Sequence, residues 1–254
     1  MRSVFRWTPP TILLIVAFAL WEILVHSFSV PDWLLPPPSQ IFVELFNTKG
    51  LLYFHAQITL REIIIGLLVS LCLAFSLSIA ISWSAIVERT LLPFVITSQI
   101  IPIFTLAPLI LIWVGTGISS KIVVVVLFTF FPVVISTVNG LKSGDKKMSD
   151  MLKTLGANRV QLYLKFYVPN ALPQIFSGIK VAAVLSVIGA VIGEWSGASS
   201  GLGIFINRSQ AAFRLDQIFV AIVIIASLSI ALFGTVGLLA RVSSPWKYIS
   251  KQGD

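Results

Sequence analysis

Six long apolar runs leave this chain few folds to choose from. A helix needs about 20 mostly apolar residues to cross a bilayer, and residues 10–28, 57–82, 90–114, 121–140, 174–193 and 216–240 are each close to or beyond that length. Only 11% of the 254 residues are charged, against about 25% in a soluble domain, and the mean hydropathy is +0.97. The expected fold class is therefore all-α: a polytopic membrane protein with six transmembrane helices in a single domain spanning 1–254. Pro93, Pro102 and Pro108 interrupt the third run. Proline removes a backbone donor, so this span is expected to kink or break where neighbours satisfy the freed carbonyls.

The basic residues orient the spans. With the N-terminus inside, Arg2, Arg6, Arg89, Lys142, Lys146, Lys147, Lys153, Arg159, Lys165, Lys180, Arg241, Lys247 and Lys251 are cytoplasmic, and Lys49, Arg61, Lys121, Arg208 and Arg214 are external. That bias of 13 to 5 puts both termini in the cytoplasm, loop 141–173 inside, and loops 29–56, 115–120 and 194–215 outside. It also accounts for the formal charge of +8 without nucleic acid as a partner. Arg2 and Arg6 ahead of an apolar run resemble a signal peptide, but Pro9, Pro10, Glu22 and His26 and the lack of a small-residue cleavage site favour a retained first span. Glu22 and His26, one turn apart, read as an interfacial anchor. The proline-rich segment 31–39 is expected to be stiff and extended. Cys72 lies in an apolar run and is expected to be small, buried and inert.

Lipid tails give helices no hydrophobic reason to associate, so small residues matter at their contacts. Gly66, Ser70, Ala74, Ser78 and Ser82 recur every four residues on the second span, as do Gly178, Ala182, Ser186 and Ala190 on the fifth, ending at Glu194. Such seams serve either packing within the chain or a subunit interface. The ionisable residues Glu22, Arg61, Glu62, Lys121, Lys180, Glu194 and Asp216 all lie toward span ends, which argues against a proton or sodium relay through mid-bilayer. His26 and His55 are the only histidines, and no cluster has metal-ligand spacing. The glycine-rich segment 115–121 does not fit the phosphate-binding loop pattern and lies on the outer side. The chain itself is therefore expected to be no enzyme and to bind no metal or cofactor. Uphill transport would draw its energy from a partner; a self-sufficient channel or secondary carrier is the competing reading.

Loop 141–173 is the one sizeable polar segment. Met148, Met151, Leu152 and Leu155 fall at i, i+3, i+4 and i+7 and define one apolar helix face. Ser149 is the expected N-cap, with Asp150 in the first turn. Gly156 is expected to end the helix in a left-handed conformation. A second short helix is expected over 158–167, with Pro169 and Pro173 marking the start of the fifth span. The resulting knob suits either a groove on a soluble partner or the lipid surface.

This loop resembles the cytoplasmic "EAA" loop of permease subunits of ATP-binding-cassette importers, whose pattern is E-A-A, three residues, G, nine residues, I-x-L-P. Asp150-Met-Leu152 stands at E-A-A, Gly156 at the glycine, Phe166 at the isoleucine and Val168-Pro169 at L-P. The start departs from the pattern, because Asp is shorter than Glu and Met-Leu is bulkier than Ala-Ala. Segments 102–115 and 193–203, the latter with its Gly-Glu-Trp and Gly-Leu-Gly, are similar to nitrate/sulfonate/taurine-type permeases and to members proposed to import the hydroxymethylpyrimidine precursor of thiamine. The resemblance implies a type I importer permease fold in a bacterial inner membrane. It implies a homodimer in lipid, two cytoplasmic ATPase subunits that carry ATP and Mg, and an external substrate-binding protein. Ser149, Asp150, Lys153, Gly156, Ala157, Arg159 and Pro169 are the implied coupling residues. Gln99, Pro102, Asn139, Ser186, Glu194 and Trp195 are the candidates for the translocation path near the dimer axis.

Overall fold

The computed structural model describes residues 4–244, with side chains from residue 11 onward. Arg2, Lys247 and Lys251 lie outside the described residues, as does the side chain of Arg6. The described residues are helical with no strand. In chain order the helices are α1 (Val4–Ser27), α2 (Pro38–Asn47), α3 (Lys49–Trp83), α4 (Ala85–Thr97), α5 (Ile103–Val114), α6 (Ile118–Lys142), α7 (Lys146–Thr154), α8 (Arg159–Leu162), α9 (Val168–Trp195), α10 (Leu202–Ala211) and α11 (Leu215–Ser243). A π-helical turn, Tyr163–Tyr167, joins α8 to α9, making one helix of 37 residues over Arg159–Trp195.

Among the described residues, four helices are long and apolar enough to cross a membrane: α3, α6, the joined α8–α9 and α11. The third expected span breaks into α4 and α5, bent by 99°. Of its three prolines only Pro102 lies at the break, where it leads into α5. The preceding residue, Ile101, is extended (φ −76°, ψ 119°), as steric contact with a proline ring requires. Pro93 and Pro108 sit inside their helices, and the Thr97 and Thr105 hydroxyls donate to the carbonyls of Pro93 and Pro102 at 2.6 and 2.7 Å. Counted as one span, the bent pair is the fifth. The apolar part of α1, Thr11–Ser27, is shorter than these.

α6 lies between α3 and α9, and both small-residue seams face it. A Cβ added at Gly66 would sit 2.6 Å from Val125 Cβ, and one at Gly178 would sit 2.5 Å from Ser136 Cβ and 2.9 Å from the Pro132 carbonyl. Ser70, Ala74, Ser78, Ala182, Ser186 and Ala190 are fully buried. The two runs therefore serve packing within the chain. Val133, Val134 and Val138 of α6 fill the space between Ala74, Ile81 and Ala182. Close backbone approach is what lets dispersion hold helices that gain nothing from leaving lipid.

Several expectations need correction. Cys72 is exposed on α3, because it falls off the Gly66–Ser82 face. Within 31–39 a turn follows Pro31, and only a short stretch before α2 is extended, with Pro37 at φ −68° and ψ 150°. Proline fits the first turn of a helix, where its missing donor is not needed, and Pro38 opens α2. Loops 29–56 and 194–215 are themselves largely helical, holding α2, the start of α3, and α10. Pro169 stands in the first turn of α9, as expected, but α9 continues from α8 without a loop. The π turn before it, closed by Val168 N–H on the Tyr163 carbonyl, relaxes the ladder where a proline ring would otherwise crowd the preceding turn.

Candidate functional site

Loop 141–173 folds into a knob on the ends of α3, α6 and α9. Its first helix, α7, starts at Asp145, whose carboxylate accepts from Lys147 N–H at 2.8 Å. Asp145 rather than Ser149 is the cap. Both residue types cap well, but Ser149 is 1% exposed, and its hydroxyl lies 2.8 Å from the Tyr167 hydroxyl. Ser149 thus pins α7 to the π turn. Asp150 and Lys153 pair at 2.8 Å on the outer surface. The hydrogen bond and charge of Lys153 hold the Asp150 carboxyl below its ordinary value, and Asp150 in turn holds Lys153 above its own.

Gly156 ends α7 at φ +86°. Its N–H reaches the Lys153 carbonyl at 2.9 Å, and Ala157 N–H reaches that of Leu152 at 3.0 Å. This is the paired Schellman closure, and its left-handed residue favours glycine. Asn158 then caps α8: it accepts from Gln161 N–H at 2.8 Å while the Gln161 side chain accepts from Asn158 N–H at 3.0 Å. Arg159 lies 4.7 Å above the Trp83 ring and also donates to the Trp83 carbonyl. Tyr163 meets the same ring edge-on at 5.3 Å. Lys142, at the end of α6, pairs with Glu88 in the first turn of α4.

Ser149, Lys153, Ala157 and Arg159 thus come together around a cleft of about 720 Å³ between the knob and the span ends. Gly156 lies on a neighbouring groove with Leu152 and Phe166, and Pro169 is in the first turn of α9. The opposite face of α7 points outward: Met148, Met151 and Leu155 are 43%, 52% and 74% exposed. Sequence reasoning passed over Trp83, Tyr167 and Asp145. Trp83 carried one signal, an aromatic at a span end. A rigid knob with an uncovered apolar face can bind and transmit force. It holds no catalytic constellation, and among the described residues no group of three His, Cys, Asp or Glu could hold a metal.

The far end holds a buried polar cluster. Three successive N–H groups at the start of α10 are met by side chains: Gly201 by His55 Nδ1 at 2.9 Å, Leu202 by Thr59 Oγ1 at 2.8 Å, and Gly203 by Glu194 Oε2. Thr59 in turn donates to Glu194 Oε1 at 2.6 Å. Gly201 (φ +123°) admits no Cβ, which would run into the Glu194 carboxylate. Beside this, Lys121 and Glu62 pair at 3.2 Å with side chains only 9% and 1% exposed. The path candidates are dispersed. Gln99 is exposed in the break between α4 and α5, Pro102 leads into α5, and Asn139 is exposed on α6. Ser186 is buried and donates to the Ala183 carbonyl at 2.7 Å, Glu194 is fully buried, and Trp195 is half exposed. No hydrogen bond joins any two of them among the described residues.

Comparison with known proteins places this architecture. Residues 66–245 match the family model described as binding-protein-dependent transport system inner membrane component. The chain is 37% identical over 248 residues to the formylaminopyrimidine transport permease protein ThiX of Halalkalibacterium halodurans, covering 97% of this chain and 99% of that protein. It is 30% identical over 249 residues to the putative aliphatic sulfonates transport permease protein SsuC of Bacillus subtilis, covering 97% and 90%. A crystal structure of an amino acid ATP-binding-cassette transporter with histidines superposes with a TM-score of 0.63 at 14% identity, over 80% of this chain and 97% of that one; it is a likeness of fold. The chain belongs to the binding-protein-dependent transport system inner membrane component family, the permease subunits of ATP-binding-cassette importers.

Proposed function

We propose that two copies of this permease form the path, and that the knob of residues 141–173 couples it to a cytoplasmic ATPase pair that binds ATP and Mg. The observation that carries this reading is the outward apolar face of α7, with Met148, Met151 and Leu155 uncovered on a knob clamped to the spans by Ser149–Tyr167 and Arg159–Trp83. An amphipathic helix in a partner's groove buries such a face. Asp150 and Lys153 flank it, and Gly156, Ala157 and Pro169 set its angle to α9. The unbroken helix from Arg159 to Trp195 is about 55 Å long and would carry motion of the knob directly to Glu194 and the outer α10.

In this reading α1 and the bent pair complete six spans, both termini are cytoplasmic, and the binding protein docks on the outer side. Gln99, Pro102 and Trp195 line the path, with Asn139, Ser186 and Glu194 bounding it. The solute is a small pyrimidine of the thiamine-precursor type. Near-full-length likeness to ThiX at 37% identity, above the 30% to the sulfonate permease, supports this. Uptake in cells carrying the full transporter tests it: formylaminopyrimidine should compete with the transported solute, and competition by taurine or an aliphatic sulfonate alone would overturn the choice. Leu155→Asp tests the coupling. The side chain is outside the fold, so membrane levels should stay unchanged while the ATPase no longer co-purifies and uptake is lost; normal co-purification and uptake would refute the role of the knob.

A further inference from the structure

His55 lies near the start of α3, ahead of the apolar run 57–82, and is 3% exposed. Its Nδ1 accepts from the Gly201 N–H at 2.9 Å. The donor is a backbone amide, so Nδ1 must be the bare nitrogen of a neutral ring. An imidazolium carries N–H on both ring nitrogens and accepts nothing. Protonation would therefore set two donors against each other at the first residue before α10. The surroundings offer the cation no compensation. The Phe54 and Phe205 rings lie 5.4 Å away by centroids, and among the described residues no carboxylate pairs with His55. The acids of every neighbouring element are engaged elsewhere. Glu194 of α9 accepts from Thr59 and Gly203, Glu62 of α3 pairs with Lys121 of α6, and Glu44 of α2 and Asp216 of α11 pair with Arg214. The charged group that does bear on His55 is Arg208 of α10, a like charge to the imidazolium.

We propose that His55 is an acid-released latch on α10: neutral, it holds the Gly201 N–H, and protonated, it lets go of the helix start. Burial, and after it the Arg208 charge, hold His55 below its ordinary value. The latch is thus fully closed above the ordinary histidine range and opens as pH falls through the lowered value. Gly201 is also where the Glu194 carboxylate leaves no room for a Cβ, so release acts on the joint between the long helix and α10. That acid is sensed on the outer side rests on the orientation proposed above; the latch itself does not depend on it.

The test is amide hydrogen exchange of the permease with its ATPase in detergent micelles from pH 7.5 to 4.5, where neither face is hidden. Each rate is divided by that of an unfolded chain at the same pH. Protection of the amides at 201–203 should fall by about tenfold with a midpoint below the ordinary histidine value of about 6.5, while that of Val133–Val138 in α6 stays constant. His55→Asn puts an amide oxygen where Nδ1 stands and takes up no proton, so its protection should be flat. Arg208→Gln removes the like charge and should move the midpoint toward neutral pH. Flat protection in the wild-type protein would overturn the proposal. So would a fall that survives His55→Asn, which would assign it to the carboxylates, and so would an Arg208→Gln midpoint that stays in place or moves to lower pH.

Discussion

Single residues in this permease carry distinct kinds of constraint, and substitution separates them. Gly156 and Gly201 both have positive φ, but a Cβ at Gly156 meets nothing within 4 Å, whereas one at Gly201 runs into Glu194. Gly156→Ala is expected to cost about 1 kcal/mol of backbone strain. Gly201→Ala should cost more, by about 1–3 kcal/mol of overpacking; ranking the two melting temperatures in detergent checks this. Lys121→Met strands Glu62 in a buried site and should cost about 3–5 kcal/mol, much of it recovered by adding Glu62→Met. The Asp150–Lys153 pair is different because it is exposed. Its aspartate is held below the ordinary value, so any contribution is present above the ordinary carboxylate range and lost as pH falls through the lowered one. Its lysine is held above the ordinary amine value, so it keeps its proton until pH rises beyond that. Association with the ATPase, measured across neutral pH, should therefore be flat.

At the scale of elements, the joint between α7 and the long helix is the part most open to test. Ser149→Ala and Tyr167→Phe each remove one partner of the same hydrogen bond, so each should cost about 1 kcal/mol. The double variant should cost less than the sum, since the pair couples directly; a double-mutant cycle on thermal stability reads this. The same joint shows how far the sequence could be read. Met148, Met151, Leu152 and Leu155 marked α7, and Gly156 marked its end, because periodicity and left-handed closure are local. Asp145 and Ser149 were equally good caps on local grounds, and only contact with Tyr167, far along the chain, decided between them. The span-long runs and the breaking of the third run were legible for the same local reason, but not that the break would fall at Pro102 rather than at Pro93 or Pro108. The burial of Glu194 was not, because its partners Thr59 and Gly203 are brought to it by the packing of α3 and α10. Nor did the small-residue spacing say which helix would fill the seams; α6 does so with Val125, Pro132 and Ser136.

The whole molecule joins a packed three-helix centre to a clamped knob at one end and a buried polar cluster at the other. α9 touches both, since its joined helix starts at Arg159 beside Trp83 and ends at Trp195 beside α10. In the proposed reading the chain transmits work and supplies none, so transport should depend wholly on its ATPase. The direct measurement is solute accumulation in proteoliposomes containing the permease with its ATPase and binding protein, set against liposomes with the permease alone. Accumulation that requires both partners and ATP, with no flux from the permease alone, is the expected result. Flux of the solute through the permease without ATPase or binding protein would contradict the account.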